Sequence, residues 1–396
     1  MPSRMKILAV TPIFPTAEEP YRGAAIWRTL AGLREFADVR GACVQYRYPP
    51  GMRPQNYRYH KSPAVTEQSY GIVSSTVGFP AIPVVTRTIN ARSIYRRLRR
   101  LVAEDQPDIL LSYWLQAESY ATLLLGEEFG IPVVAGARGT DLKQVETNRT
   151  LRQQTARVLS EAKAILCVSG DLAGIARDRG APAERVHTIP NGIDTETFHA
   201  IPKREARESL NLHDGSKIIL FVGWISKLKG APELLEAIAK LPEDCTLVMI
   251  GEGDLASQLR EQSVTLGIAS KVRFLGPKPS SEVALWMNAA DVLCLPSVTE
   301  GCPNVVLEAL GCGCPVVATA VGGTPELLDN DSGILIPDND PLKLAAALTQ
   351  ATSRTWDRQL IAKKHERPWR QVALDTFEVC QAAVYAGKGA PLLCNS

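Results

Sequence analysis

Two acids on either side of a tight turn are the most informative chemistry in this chain. Glu300 and Glu308 stand eight residues apart in PSVTEGCPNVVLEALGCGCPVVATAVGGTPELL, residues 296–328, and Gly301, Cys302, Pro303 and Asn304 directly follow the first acid. The turn predicts a helix opening at Asn304 or Val305, with Glu308 one turn in and Glu300 on the loop before it. A helix N-terminus offers unsatisfied backbone N–H groups and a partial positive charge, which suits a diphosphate. An acid on each side can accept hydrogen bonds from hydroxyls of a sugar and of a ribose. A second glycine pair, Gly322-Gly323, ends the next apolar run and again precedes a helix-like segment, TPELL. Two successive strand, glycine turn and helix units point to nucleotide binding.

The elements that must carry these turns alternate along the chain. MKILAVTPIF, DVRGACVQ, DILLSYW, PVVAGAR and AILCVSG read as strands in the first half, with helices between them. After the polar stretch 200–217, expected as a linker and lead-in, the alternation restarts with KIILFVGW, CTLVMIGEG, KVRFLG, ADVLCLPS, CPVVATAVGG and GILIP. Such alternation predicts parallel sheets covered by helices on both faces, and 396 residues suit two such α/β domains. In doubly wound sheets ligands bind beyond the carboxyl ends of the strands. No run approaches the length of a membrane-spanning helix, and Pro12 and Pro15 make the first apolar run a buried strand rather than a leader. The nine cysteines are scattered, mostly in apolar runs, as buried thiols would be. The pair Cys312 and Cys314 has no partner pair to make a zinc site.

Charge is unevenly spread. Residues 1–199 carry 25 Lys+Arg against 19 Asp+Glu, net +6, and residues 200–396 carry 19 against 23, net −4. Much of the excess lies in TRTINARSIYRRLRRLVAED, where Arg87, Arg92, Arg96, Arg97, Arg99 and Arg100 accompany Ile94, Leu98, Leu101 and Val102 at helical spacing. Two readings stand: a solvated face of a packed helix, or adhesion to an anionic membrane surface or acceptor. The arginines lack the aromatic interleaving of nucleic-acid surfaces, so no nucleic acid is expected.

The stretch 296–328 resembles the signature of the retaining glycosyltransferases of family four, whose two glutamates are likewise separated by seven residues, and the likeness extends through most of the chain. It implies the GT-B fold: two Rossmann-like domains facing a cleft, the first (1–199, plus a crossover helix at about 368–386) for the acceptor and the second (200–367) for the nucleotide-sugar. The resemblance implies donor binding by Glu308, Gly223, Lys227 and the backbone of Gly301, Cys302, Pro303, Asn304 and Val305. Glu300 is expected near the sugar ring. FVGWISKLKG resembles the donor-phosphate loop, with Lys229 as main cation; Trp224 stands where the family commonly has arginine, and a tryptophan cannot replace a guanidinium fork. In PVVAGARGTDL, Arg138 replaces a common histidine and cannot act as a base, which leaves Asp141 to accept a proton or orient the acceptor. Arg22 and Gly23 match the family's first loop. IPNGID, with Asn191 and Gly192, reads mainly as a structural turn.

The expected function is transfer of a sugar from a nucleoside-diphosphate sugar to an acceptor hydroxyl, with retention, in envelope polysaccharide or glycolipid assembly. The acceptor would be a carbohydrate or lipid-linked, in the cytoplasm or at the inner membrane face. Neither cofactor nor metal is expected: Asp338-Asn339-Asp340 is read as a surface turn before a helix, while Lys229 and the helix terminus hold the diphosphate. Two alternatives differ in class. A nucleotide-sugar epimerase would need groups that move protons, and none of His60, His187, His199, His213 and His365 lies in a donor loop. A non-catalytic scaffold of the same fold is motivated by Trp224 and Arg138.

Overall fold

A computed structural model of the protein describes residues 4–15, 22–52, 70–143, 148–212 and 215–387. The chain divides into two compact units, Met1–Pro190 with Trp369–Ser396, and Asn191–Pro368. Both are doubly wound α/β structures, as the alternation predicts. No helix among the described residues is long and apolar enough to cross a membrane.

The first unit holds a seven-stranded parallel sheet in the order β3-β2-β1-β4-β5-β6-β7. Its strands are β1 Lys6–Thr11, β2 Asp38–Arg47, β3 Ser74–Pro80, β4 Ile109–Tyr113, β5 Val133–Ala137, β6 Ala164–Cys167 and β7 Val186–Thr188. β1 is central, pairing Ile7 with Val39 on one side and Ile109 on the other. Burial on both faces explains why β4, β5 and β6 read as continuous apolar runs. The basic segment forms the helix Asn90–Asp105, which buries Ala91, Ile94, Leu98 and Val102 and leaves Arg92, Arg96 and Arg97 exposed. Arg99 pairs with Glu128 and Arg100 with Glu104, so part of that charge is locally neutralised. The helix Trp369–Gly387 covers the helix Ala24–Leu33: a Cβ on Gly32 would come within 2.7 Å of the Ala373 Cβ, and Phe36 and Phe377 meet at 5.5 Å.

The sequence reading missed β3 and β7, and their composition and length explain why. Each is an edge strand with a single neighbour. β3, SSTVGFP, carries a glycine and a proline and few apolar side chains, which an edge tolerates. β7 is three residues long.

The second unit has a six-stranded parallel sheet in the order β10-β9-β8-β11-β12-β13. The strands are β8 Lys217–Val222, β9 Cys245–Ile250, β10 Val272–Gly276, β11 Val292–Leu295, β12 Val316–Thr319 and β13 Gly333–Ile336. The polar stretch expected as a linker instead contributes the helix Lys203–Ser209 to this unit. It docks through charge: the Arg207 guanidinium, 5% exposed, donates to Asp291 Oδ2 at 2.8 Å and to the Ala289 carbonyl at 3.0 Å. Lys203 and the Ile218 N–H also converge on Asp291. Residues 191–198 belong here too, because Ile193 N–H donates to the Arg367 carbonyl at 2.8 Å.

Asp291 thus ties a helix to the start of β8. Removing it leaves a buried guanidinium without its counter-charge, a change that typically costs about 3–5 kcal/mol. Asp291→Ala is expected to lose stability on that scale in chemical denaturation. A loss below about 1 kcal/mol would show that Arg207 is held by carbonyls alone.

Candidate functional site

In the second unit the strand order reverses at β8, which lies between β9 and β11. Such a reversal opens a crevice at the carboxyl ends of the central strands, and the loops after β8 and β11 carry the predicted residues. The two loops are stitched together by backbone. Val298 N–H donates to the Leu228 carbonyl at 2.9 Å. Gly230 has φ +66°, and a Cβ there would lie 1.9 Å from the Pro296 carbonyl oxygen, so only glycine allows the approach. The glycine after β9 serves the same purpose: a Cβ on Gly251 would sit 2.0 Å from the oxygen of Gly223. The Gly251-x-Gly253 turn therefore packs against the β8 loop.

This stitching places a lysine on an acid. Lys229 Nζ donates to Glu300 Oε1 at 2.6 Å, and Ser297 Oγ donates to the same oxygen at 2.7 Å. Thr319 Oγ1, at the end of β12, donates to the Ser297 carbonyl. The Glu300 side chain is 8% exposed and that of Lys229 31%, so the acid is enclosed while the amine reaches solvent. An ammonium has three N–H donors, of which the Glu300 bond uses one. Lys227, on the same single helical turn as Lys229, is exposed. Trp224 is half-buried and donates its indole N–H to Asp254 Oδ2 at 3.4 Å, so the cations of this loop are Lys227 and Lys229.

The helix after Glu300 begins at Asn304, as expected, and runs Asn304–Gly311 with Glu308 half-buried one turn in. Pro303 precedes it and supplies no side-chain cap. Asn191 Nδ2 donates to Asn304 Oδ1 at 2.7 Å, so the IPNGID turn steadies the start of this helix. Gly323 N–H donates to the Gly301 carbonyl at 3.0 Å, which joins the second glycine turn to the first. Beside it, the buried Thr324 Oγ1 has no hydrogen-bond partner among the described residues. Cys302, Asn304 and Val305 are half-buried. Lys229, Glu300, Gly301 and the helix terminus are thus brought together. Asp340 caps the helix Pro341–Ser353 and Asp338 pairs with Lys343, so both acids of the D-x-D have structural work. Cys312 and Cys314 are buried, which pushes both thiols up.

In the first unit Gly23 has φ +68° and opens the helix Ala24–Leu33, while the Arg22 guanidinium lies 6.0 Å from the Phe14 ring. Arg138, after β5, stands 5.8 Å from the Tyr113 ring. Asp141 is held by main chain. It is buried, its Oδ1 accepts from the N–H groups of Arg138 (3.0 Å) and Gly139 (2.8 Å), and its Oδ2 accepts from Leu115 N–H at 3.2 Å. With both oxygens engaged by backbone, Asp141 clamps the β4 and β5 loops. Burial pushes its carboxyl up, against the pull of those three bonds. Residues 16–21 of the expected first loop, His60 and His213 lie outside the described residues.

The sequence reading also missed Glu118, in the first turn of the helix Ala117–Phe129. It is 1% exposed, accepts a hydrogen bond from the Tyr46 hydroxyl, and lines a cavity with Tyr46, Tyr48, Asn90 and Trp114. The available signal was a lone acid in the apolar stretch SYWLQAESYATLLL.

Comparison with known proteins fits this arrangement. Residues 202–367 match the family described as Glycosyl transferases group 1, and residues 52–197 match Glycosyltransferase Family 4. A protein of Bacillus subtilis (strain 168) named as a teichuronic acid biosynthesis glycosyltransferase (TuaC) is 27% identical, over 98% of this chain and 97% of its own. D-inositol 3-phosphate glycosyltransferase 2 of Catenulispora acidiphila is 33% identical over 69% of this chain and 70% of its own. Among solved structures, Anabaena HepE in complex with UDP superposes with TM-score 0.75 at 19% identity, covering 96% of this chain and all of that one. The same protein with UDP-glucose gives 0.73, again at 19% and with the same coverage. At these identities the likeness establishes the fold, which is GT-B.

Glu118 yields a pH prediction. Burial pushes its carboxyl from the ordinary 4.5 to about 7, opposed by the Tyr46 hydrogen bond and reinforced by the charge of Asp141. The folded protein therefore holds a proton there that the unfolded chain releases at lower pH. That contribution is complete below the unfolded value and is lost as pH rises through 7. At about 1.4 kcal/mol per unit, the loss is about 3 kcal/mol. Glu118→Gln, which cannot ionise, is expected to flatten the decline in stability between pH 5 and 8. Parallel denaturation curves for the two proteins would show that the carboxyl titrates normally.

Proposed function

The chain belongs to the group 1, family 4 glycosyltransferases, and on that premise we propose that it moves a sugar from a nucleoside-diphosphate sugar to an acceptor hydroxyl with retention of configuration. The observation that carries this reading is the Lys229–Glu300–Ser297 cluster beside the N-terminus of the helix Asn304–Gly311, at the β8/β11 crevice. A cation and a helix terminus suit a diphosphate, whose charge grows as the bond to the sugar breaks. Glu308 binds the ribose hydroxyls, and Glu300, oriented by Lys229 and Ser297, lies by the sugar ring. The UDP and UDP-glucose complexes of HepE support the donor class.

In the transfer, the acceptor oxygen bonds to the anomeric carbon on the face from which the phosphate oxygen leaves. The acceptor proton passes to that leaving oxygen. The loops of the first unit favour this route: Asp141 is engaged by three N–H groups, and Arg138 does not lose its proton. Lys229 and the helix terminus hold the diphosphate, so the reaction needs no metal. The role in teichuronic acid biosynthesis for which TuaC is named supports an envelope polysaccharide as the product. Attachment at the inner membrane face draws on the exposed apolar residues Ile82, Val84, Val85 and Ile89 next to exposed Arg92, Arg96 and Arg97.

Three measurements test this. With UDP-glucose as the first donor assayed, Lys229→Ala is expected to lower turnover about 10²-fold, the loss typical of a transition-state donor, and wild-type turnover in that variant would sink the phosphate assignment. Excess chelator should leave the rate unchanged. Glu308→Ala should weaken donor binding about tenfold, by the loss of a charge-assisted hydrogen bond worth about 1.5–3 kcal/mol.

For the membrane reading, the protein should co-sediment with phosphatidylglycerol vesicles. At about 1 kcal/mol per basic residue near an anionic surface, the combined Arg92→Gln, Arg96→Gln and Arg97→Gln change should weaken that binding by about two orders of magnitude. Equal sedimentation with uncharged vesicles would refute it.

A further inference from the structure

The first sheet has its own order reversal, at β1 between β2 and β4. A cavity of about 400 Å³ lies there, lined at the strand ends by Pro12 after β1, Tyr46 and Tyr48 at the end of β2, and Trp114 after β4. Its volume falls within the range of small-molecule sites, roughly 300–1,000 Å³, and admits one sugar-sized ring.

Two lining oxygens distinguish this cavity from a packing gap. Glu118 Oε2 and Asn90 Oδ1 are buried and have no hydrogen-bond partner among the described residues, and their side chains are 1% and 6% exposed. A buried polar atom left unsatisfied is costly: the Asn90 oxygen calls for a ligand that donates, and Glu118 Oε2 calls for a hydroxyl, which accepts from the protonated carboxyl and donates to the ionised one. The other Glu118 oxygen is fixed by the Tyr46 hydroxyl, which orients the carboxyl. The backbone is strained in the same place. Trp114 has φ +86° and Val84 φ +66°, two of the four non-glycine residues with positive φ among those described, and both line the cavity. For bulky and β-branched residues this conformation is unfavourable and tends to persist at ligand sites.

We propose that this cavity is a sugar-ring subsite in which Glu118 and Asn90 hydrogen-bond to two hydroxyls of one ring, with Tyr46, Tyr48 and Trp114 as its aromatic walls. Adjacent hydroxyls on a ring supply donors side by side, and their C–H faces suit aromatic surfaces. The ring is neutral: the enclosed ionisable group is an acid, whereas Arg87 stands at the exposed end of the lining. Taking the ring as part of the acceptor rests on the glycosyltransferase reading; the binding does not. Glu118 and Asn90 then select acceptors by the position of two hydroxyls.

The test is saturation-transfer NMR on the whole chain with glucose, galactose, mannose and N-acetylglucosamine, alone and with saturating UDP. At least one hexose is expected to bind with UDP present. Its affinity should fall at least tenfold in Glu118→Met and in Asn90→Leu, both similar in shape to the residues they replace, with UDP binding unchanged. One monodeoxy analogue of that hexose should bind tenfold more weakly than its parent to the wild type and equally with it to Glu118→Met, a signature that a purely structural role would not produce. Absence of hexose binding to the wild type, equal binding by wild type and both variants, or preference for glucuronate or glucose 1-phosphate that survives Glu118→Met would each overturn the proposal. Hexose binding with this mutational pattern but no nucleotide-sugar turnover would support the subsite while removing the glycosyltransferase reading.

Discussion

Parallel strands joined by crossovers leave one opening in each sheet, where successive connections depart to opposite faces. That constraint arranges nearly everything chemical in this protein. In the second sheet the opening lies at β8 and β11, and there Lys229, Glu300 and the helix Asn304–Gly311 meet. In the first it lies at β1 and β4, where the cavity with Glu118 and Asn90 is found. Both sheets bury their bodies in apolar contact and leave their chemistry to the loops at the carboxyl ends of the strands.

The loops that fill the openings owe little to side-chain packing. They are held by main chain: Val298 to Leu228, Gly323 to Gly301, Ile225 to Glu252, and the close approaches at Gly230 and Gly251. Backbone contacts fix position with small tolerance, because any Cβ at the contact must displace its neighbour. A lysine and a glutamate on separate loops can therefore be set within hydrogen-bonding distance.

Much of the carboxyl unit was legible from sequence because its strands are mostly apolar, edges included, and its turns are marked by glycine. The start of the helix at Asn304 followed from Pro303 and the turn before it. Of the four edge strands, β10 and β13 were legible and β3 and β7 were not, since β3 is largely polar with a glycine and a proline and β7 is only three residues long. Nor was the helix Lys203–Ser209, whose docking relies on Arg207 and Asp291 instead of an apolar stripe. The Lys229–Glu300 contact joins residues 71 positions apart and needs the sheet order to predict. The three backbone N–H groups that meet at Asp141 were likewise out of reach, because they come from two loops that the fold brings together. Glu118 escaped notice because its partners, Tyr46 and the cavity, come from a distant strand.

The helix Trp369–Gly387 belongs to the unit that begins the chain, and the intervening residues 191–368 form the other. On a ribosome, the amino unit emerges with the surface over Gly32 and Phe36 uncovered, and remains so until the last helix has been made. The carboxyl unit is contiguous and can complete itself first. Nascent chains thus spend the synthesis of nearly half their length with an open apolar flank, at translation rates of about 5–20 residues per second. For the cell, that interval is a window for chaperone capture and for premature contact between neighbouring nascent chains.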